Sequence, residues 1–334
     1  MDVDLFVAAH RAEWARLDRL LAARRLSGPE ADELVTLYQR AATHLSVVRS
    51  AAPDPALLSW LSALVARARS AVTGAHTPAW REAGLFFAQR FPAAVYTSVR
   101  WWLPAAVVSI LLGGLIGAWI AGDPQVRASL ATPEDIRALT EPGGQFESYY
   151  SANPAASFAA RVWTNNAWVA AMCLFFGVLL GVPVLIALWQ NVVNVGVSAG
   201  FMAAAGRLDV FFGLITPHGL LELTAVFVAA GTGLRLGWTV LAPGTRSRAA
   251  ALAQEGRAAA GMALGLACVL LVSGVIEAFV TPSGLPTWAR IVIGLAAEVL
   301  FLLYVFVLGR RAVRAGVTGD VASRHAGDLL PEAG

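Results

Sequence analysis

Residues 101–122 read WWLPAAVVSILLGGLIGAWIAG, running from Trp101 to Gly122 without one charged side chain. A helix rising about 1.5 Å per residue carries such a stretch across the roughly 30 Å hydrocarbon layer of a bilayer. The whole chain has the same character: 57% of its 334 residues are hydrophobic and 14% are charged. Soluble domains average roughly a quarter charged residues, so a water-soluble fold is excluded for the bulk of the protein. Further apolar stretches near 166–189, 218–241, 258–280 and 287–309 join the first span, placed at 95–121. A sixth, 192–216, is interrupted by Gly196, Gly200, Gly206 and Gly213 and contains Arg207 and Asp209.

Charge placement decides whether that sixth segment crosses. The loop 122–160 is acidic, with Asp123, Glu134, Asp135, Glu141 and Glu147, whereas 242–257 carries Arg246, Arg248 and Arg257 and the tail carries Arg310, Arg311 and Arg314. Arginine-rich loops stay cytoplasmic, and only an even number of spans satisfies all three segments. The expectation is an all-α polytopic membrane bundle of about six spans over 95–310. Both termini would be cytoplasmic, the loop 122–160 outside and 311–334 a cytoplasmic tail.

All 25 basic residues are arginine. With heavy use of Ala, Gly and Val, this suggests a high-GC bacterial genome and therefore the bacterial inner membrane. The arginines flank apolar stretches instead of forming a run, and the net charge is only +3, which excludes nucleic acid as a partner. Cys173 and Cys268 lie inside apolar segments and read as reduced, structural thiols.

Residues 1–94 precede the bundle as a small cytoplasmic helical domain, since Asp2, Asp4, Arg11, Glu13 and Arg16 do not form a cleavable signal peptide. Phe6, Trp14, Leu17, Leu20 and Leu21 make one amphipathic stripe, and Leu34, Leu37, Tyr38, Ala41, Leu45 and Val48 a second. Ser27 and Glu30 have capping-box spacing, Ser27 placed to accept a backbone N–H and Glu30 to reach back. Asp54-Pro55 and Thr77-Pro78 open a third and a fourth helix. Trp80, Phe86, Phe87, Phe91, Tyr96, Trp101 and Trp102 alternate with Arg81, Arg90 and Arg100, which predicts an elbow lying along the inner membrane surface. Small-residue pairs Gly113/Gly117, Gly177/Gly181, Gly196/Gly200 and Gly261/Gly265 predict close helix packing and leave a homodimer open.

Ionisable groups inside spans are costly, so each is a candidate functional or specifically paired group. Asn165, Asn166, Arg207, Asp209, His218, Glu222 and Glu277 are expected at similar depth in the outer half, with Arg207 as common partner of the carboxylates; Glu298 lies near mid-span. His218 and Glu222, at i and i+4, could be two metal ligands with Asp209 or Glu277 as a third. The zinc-helix pattern His-Glu-x-x-His is absent, and no nucleophile elbow, P-loop or dinucleotide fingerprint occurs. The expectation is no enzyme activity, no metal and no cofactor.

On these residues the chain resembles the stage II sporulation protein M family. The likeness runs through Asn165-Asn166, the glycine-punctuated stretch 190–216 and Pro217-His218-Gly219 leading to Glu222-Leu223. It continues through Ala229-Ala230-Gly231 with Gly233, and Glu277-Ala278-Phe279 with Thr281-Pro282. It covers roughly 85–310, and the N-terminal helices look like those of actinobacterial members. The resemblance implies a membrane scaffold that recruits other membrane or envelope proteins for cell-wall remodelling. The alternative from the residues is a transporter or channel using Glu222, Glu277 and His218. An outer loop bearing Gln145, Phe146, Glu147, Tyr149 and Tyr150 offers contact area for the scaffold.

Overall fold

The structure, a computed structural model, describes residues 3–23, 26–50, 55–72, 79–150 and 154–319. The chain divides into two compact units, Met1–Glu82 and Ala83–Gly334, so the aromatic segment after Glu82 belongs with the second.

The first unit is a three-helix bundle of α1 (Val3–Ala22), α2 (Gly28–Ser50) and α3 (Pro55–Val72). Its core is the predicted stripes: Trp14, Leu17, Leu20, Leu34, Leu37, Ala41 and Val48 are buried with Leu61, Leu64 and Ala68 from α3. At the start of α2 the Glu30 carboxylate accepts from the Ser27 N–H at 2.9 Å, as the capping box requires. The other half differs, because the Ser27 hydroxyl donates to that same carboxylate at 2.7 Å instead of accepting a backbone N–H. Asp54, Thr77 and Pro78 lie outside the described residues.

The second unit begins with α4 (Ala79–Leu85, which straddles the boundary), a π-helical turn at Phe86–Arg90, and α5 (Phe91–Thr97). Along the segment read as an elbow, Trp80 and Phe87 face outward. Phe91, Ala93, Ala94 and Val95 are buried in the protein, and the ring of Phe91 lies in the space left by Gly265. The turn at Ser98 then leads into α6 (Val99–Gly122), where Trp102 is buried and donates to the Val95 carbonyl at 3.1 Å.

Beyond α6 the connecting segment is folded, with α7 (Pro124–Leu130), α8 (Pro133–Thr140) and α9 (Gln145–Ser148). Asp123 and Thr132 cap α7 and α8 by accepting backbone N–H groups, each followed by proline in the first turn. The remaining long helices are α10 (Ala155–Phe176), α11 (Val182–Ala204), α12 (Leu208–Leu241), α13 (Arg248–Val275, continued by a π turn at Ile276–Val280) and α14 (Thr287–Leu303, continued by a π turn at Tyr304–Gly309). A short α15 (Arg310–Arg314) closes the described chain.

Five helices are long and apolar enough to cross a membrane, spanning Val99–Gly122, Val182–Ala204, Leu208–Leu241, Arg248–Val280 and Thr287–Arg314. Helix α10 is more polar, yet its 22 residues run beside α12 and α13, so the bundle has six long helices among the described residues. Their boundaries differ from the expected 166–189, 192–216 and 218–241. Leu180 and Gly181 adopt positive φ (57° and 75°) and end the second helix early. Pro183 then sits in the first turn of α11, where its missing N–H costs nothing, instead of mid-span. Gly206 (φ 71°) makes the next turn, and Pro217 lies within α12 without ending it.

Helix α12 is central, packing against α6, α10, α11, α13 and α14. The glycine pairs are used inside the chain: a Cβ on Gly196 would stand 3.0 Å from the Gly113 carbonyl, and one on Gly200 2.7 Å from Ile120. Likewise a Cβ on Gly233 would stand 2.2 Å from the Cys173 carbonyl, and one on Gly177 2.4 Å from Gly233. They join α6 to α11 and α10 to α12 and therefore supply no argument for a homodimer. Outward-facing Leu103, Val107, Ile110, Leu111, Leu115 and Trp119 on α6 form the kind of apolar belt that lipid covers. Cys268 also faces outward, while Cys173 is buried; both are free thiols.

Candidate functional site

One end of the bundle gathers the polar groups. His218 lies on α12 with Glu222 one turn on, and Glu277 projects from the π turn that ends α13. The imidazole Nε2 of His218 is 3.8 Å from Glu277 Oε1, and its Nδ1 is 3.1 Å from the hydroxyl of Thr281. A π turn shifts the side chains that follow it, as the Thr281 N–H bonding to the Ile276 carbonyl at 3.1 Å shows. It thereby turns Glu277 and Thr281 together toward α12. Ser273, one turn before Glu277, donates to the His218 carbonyl at 3.0 Å, and Asn166 and Ser273 both reach the Glu222 carboxylate. Asn166 Oδ1 in turn accepts from Asn165 at 3.4 Å. His218 is 5% exposed and Glu277 4%, and Glu277 Oε2 is buried without a hydrogen-bond partner.

The chain leaving α9, the last helix of the α7–α9 cap, reaches this group. The ring of Tyr150 stands 5.7 Å from that of His218, and Tyr149 and Tyr150 pack edge-on against Phe158. Burial pushes the Tyr150 phenol well above its ordinary pKa, with the Glu277 charge adding to it, so the hydroxyl stays protonated.

Arg207 does not join the cluster, contrary to the expected common partner. It donates to the Thr140 carbonyl at 2.6 Å and pairs with the Glu147 carboxylate, tying the cap to the bundle. The stacked rings of Phe146 and Phe211, 5.7 Å apart, make the same junction. The reason is the length of α12. Its 34 residues extend about 51 Å, and Arg207 at its start stands eleven residues, about 16 Å, before His218, beside the cap. Asp209 is exposed nine residues before His218, about 13 Å along the helix. It lines a cleft of about 610 Å³ with Glu147, Tyr150, Thr281 and Arg290. Glu298 is also apart, accepting from Thr224 Oγ1 at 2.9 Å. Thus Asn166, His218, Glu222 and Glu277 come together with Asn165 at their edge, while Arg207, Asp209 and Glu298 stand elsewhere.

Sequence reasoning missed Ser273, and it named Thr281 and Tyr150 without placing either in this cluster. The first two were readable, because Ser273, Glu277 and Thr281 recur every four residues on an otherwise apolar helix. Tyr150 was read only as part of the contact area of the 122–160 loop, and no spacing ties it to His218. A second group, His10, Glu13 and His44, meets in the N-terminal unit. There the two imidazoles stack 3.9 Å apart and Trp14 donates to His44 Nδ1 at 3.2 Å, the geometry of an aromatic cluster.

At the opposite end of the bundle Arg100, Arg235 and Arg246 border one cavity with Trp101 and Trp238, and Arg235 pairs with Glu255 at 2.8 Å. The bundle therefore has a basic, tryptophan-lined end and a capped end holding buried carboxylates.

Six long helices, outward-facing apolar flanks and clusters of polar groups at the two ends define a polytopic helical membrane protein. Residues 106–282 match the profile described as Stage II sporulation protein M, and the chain belongs to that family. Residues 4–74 are similar to a domain of unknown function (DUF8413), a match that falls within the N-terminal unit. No curated protein and no solved structure matches the chain.

Proposed function

We propose that the protein is a scaffold of the bacterial inner membrane that presents its cap to extracytoplasmic partners in envelope or cell-wall processes, without enzymatic activity of its own. The observation that carries the reading is the cap. A segment serving only as a connection needs neither its capped helices nor the Arg207–Glu147 tie, whereas a docking surface needs a fixed shape. The middle of the bundle supports the same reading. Between the His218 cluster and the basic end, α12 contributes Ala225, Val226, Val228, Ala229 and Ala230, all buried, and Gly231 packs on the Trp102 backbone. A solute path would require polar groups where these apolar side chains stand.

The orientation proposed puts both termini and the arginine-rich end in the cytoplasm, following the positive-inside rule. With Cys173 and Cys268 replaced by alanine, a membrane-impermeant thiol reagent applied to cells should label Ser148→Cys and spare Ser247→Cys. The scaffold itself is tested by photo-crosslinking from Leu130, 51% exposed on the cap, in living cells. A discrete adduct with an envelope protein is expected, together with no solute or proton flux in proteoliposomes beyond that of empty vesicles. Flux that Glu277→Gln abolishes would instead establish the transporter.

A further inference from the structure

We propose that His218, Glu222 and Glu277 form a divalent-metal site, of the zinc type, buried under the extracytoplasmic cap. The inference goes beyond the scaffold reading and does not depend on it. Each residue offers one ligand atom, and the three atoms lie within 4.8 Å of one another. Ligand atoms about 2.0–2.1 Å from a tetrahedral ion stand about 3.3 Å apart, so the 3.8 Å between His218 Nε2 and Glu277 Oε1 needs a contraction of only about half an ångström.

Four features of the surroundings fit an ion. First, charge: two carboxylates face one another in a bundle interior, and among the described residues neither is ion-paired with an arginine. Arg207 is engaged by Glu147 and Thr140, Arg235 by Glu255, and Arg290 donates to the Thr281 carbonyl and the Thr287 hydroxyl. A dication compensates two carboxylates and a neutral imidazole, as a buried charge requires. Second, Glu277 Oε2 is a buried acceptor with no donor, on a side chain only 4% exposed, which is the atom an ion would satisfy. Third, the partners lie where a metal site's supporting shell lies. If Nδ1–H is donated to Thr281 Oγ1, one of the two tautomers the 3.1 Å contact allows, Nε2 keeps its lone pair toward Glu277, and the side chains of Asn166 and Ser273 border the Glu222 carboxylate. Fourth, there is an approach. The outer cleft is lined by Glu147 and Asp209 and ends on Tyr150 and Thr281, both of which touch His218.

Three protein ligands leave one coordination position for water or for a group from a partner. One histidine with two carboxylates suits Zn²⁺ better than Ca²⁺ or Mg²⁺, which favour all-oxygen shells.

The full-length protein, purified in detergent and stripped with chelator, should take up about one Zn²⁺ per chain from micromolar zinc sulfate, read by elemental analysis after gel filtration. X-ray absorption on the loaded wild-type protein should show imidazole and oxygen ligands near 2.0 Å. Glu277→Gln and His218→Ala should each lower uptake to background, and Thr281→Val should weaken affinity at least tenfold, as loss of a supporting hydrogen bond does. Glu298→Gln, in the separate carboxylate site, should keep full stoichiometry. The absorption spectrum needs no variant, so misfolding of one variant leaves the test intact. Absence of zinc uptake by the wild-type protein, or uptake unchanged in both ligand variants, overturns the site.

Discussion

Replacing Arg207 by alanine removes two interactions at once: the hydrogen bond to the Thr140 carbonyl at 2.6 Å and the pair with Glu147. A hydrogen bond to a charged group contributes about 1.5–3 kcal/mol, and removing one member of a fully buried ion pair costs about 3–5 kcal/mol. Here the Arg207 side chain is 20% exposed and that of Glu147 is 33% exposed, so water reaches both groups and the lower part of the range applies. About 2 kcal/mol of cap stability is at stake. The aromatic contacts Phe146–Phe211 and Tyr150–Phe158 remain, so the cap should loosen while the bundle stays folded. At 1.4 kcal/mol per factor of ten, amide hydrogen exchange in α9 and its flanks should accelerate about thirtyfold. The N–H groups of Gly144, Ser148 and Tyr149, bonded to Glu141, Gly144 and Gln145, report on it directly. Glu147→Gln should accelerate the same amides, and the double variant should cost less than the two losses summed. The reasoning fails if exchange changes less than twofold, or if Arg207→Ala couples to Glu277→Gln and not to Glu147→Gln.

Gly233→Ala drives a Cβ to 2.2 Å from the Cys173 carbonyl, a backbone atom that cannot rotate away, and should cost at least about 1–3 kcal/mol as a lower detergent-state Tm; an unchanged Tm would mean the helices can separate freely. Gly256→Ala on α13 has nothing within 4 Å and should stabilise by about 0.5–1 kcal/mol through helix propensity, so the two variants should move Tm in opposite directions. A fragment ending before Trp80 contains the complete core of the first unit and should be soluble and helical by circular dichroism; an unfolded fragment would show that α1–α3 need the second unit. Within that fragment, burial holds the His44 pKa below its ordinary 6.5, with His10 and Arg40 adding to the effect and Glu13 opposing it. The unfolded chain therefore takes up this proton first. Urea stability should be constant at higher pH and fall as pH drops through about 6.5, and a His44→Gln variant should lose that slope.

The class of fold was legible because it depends on totals. A charge-free run such as 101–122 and an arginine bias between loops constrain the chain whatever its local details. Helix boundaries between 177 and 207 were not, since they depend on single dihedral angles. Leu180 at φ 57° is a residue type that rarely takes that conformation, so no pattern announces the break. The candidate site divides along the same line. His218 and Glu222 were paired by their i, i+4 spacing, and Glu277 was brought near by depth alone. Depth then misled for Arg207, because it fixes distance from the membrane surface and not the direction a side chain takes.

Helix α12 shows why these pieces belong to one design. Its first turn, with Asp209, lies at the cap; its next turns carry His218 and Glu222; its middle is Ala225 to Gly233; and its last turns meet the basic end through Arg235 and Trp238. At Gly231 and Gly233, where α6 and α10 approach its lower half, there is no room for a side chain. The largest group of costly side chains stands at the capped end, where Asn166, Ser273 and Thr281 lie beside them, while Glu298 is met by Thr224 and Arg235 by Glu255. A substitution that opens the middle should thus disturb stability without moving the cluster, whereas one that loosens the cap should expose the cluster without destabilising the middle. That separation is what a rigid support carrying a fixed outer surface requires, and a transport pathway, in which both halves must move together, would not show it.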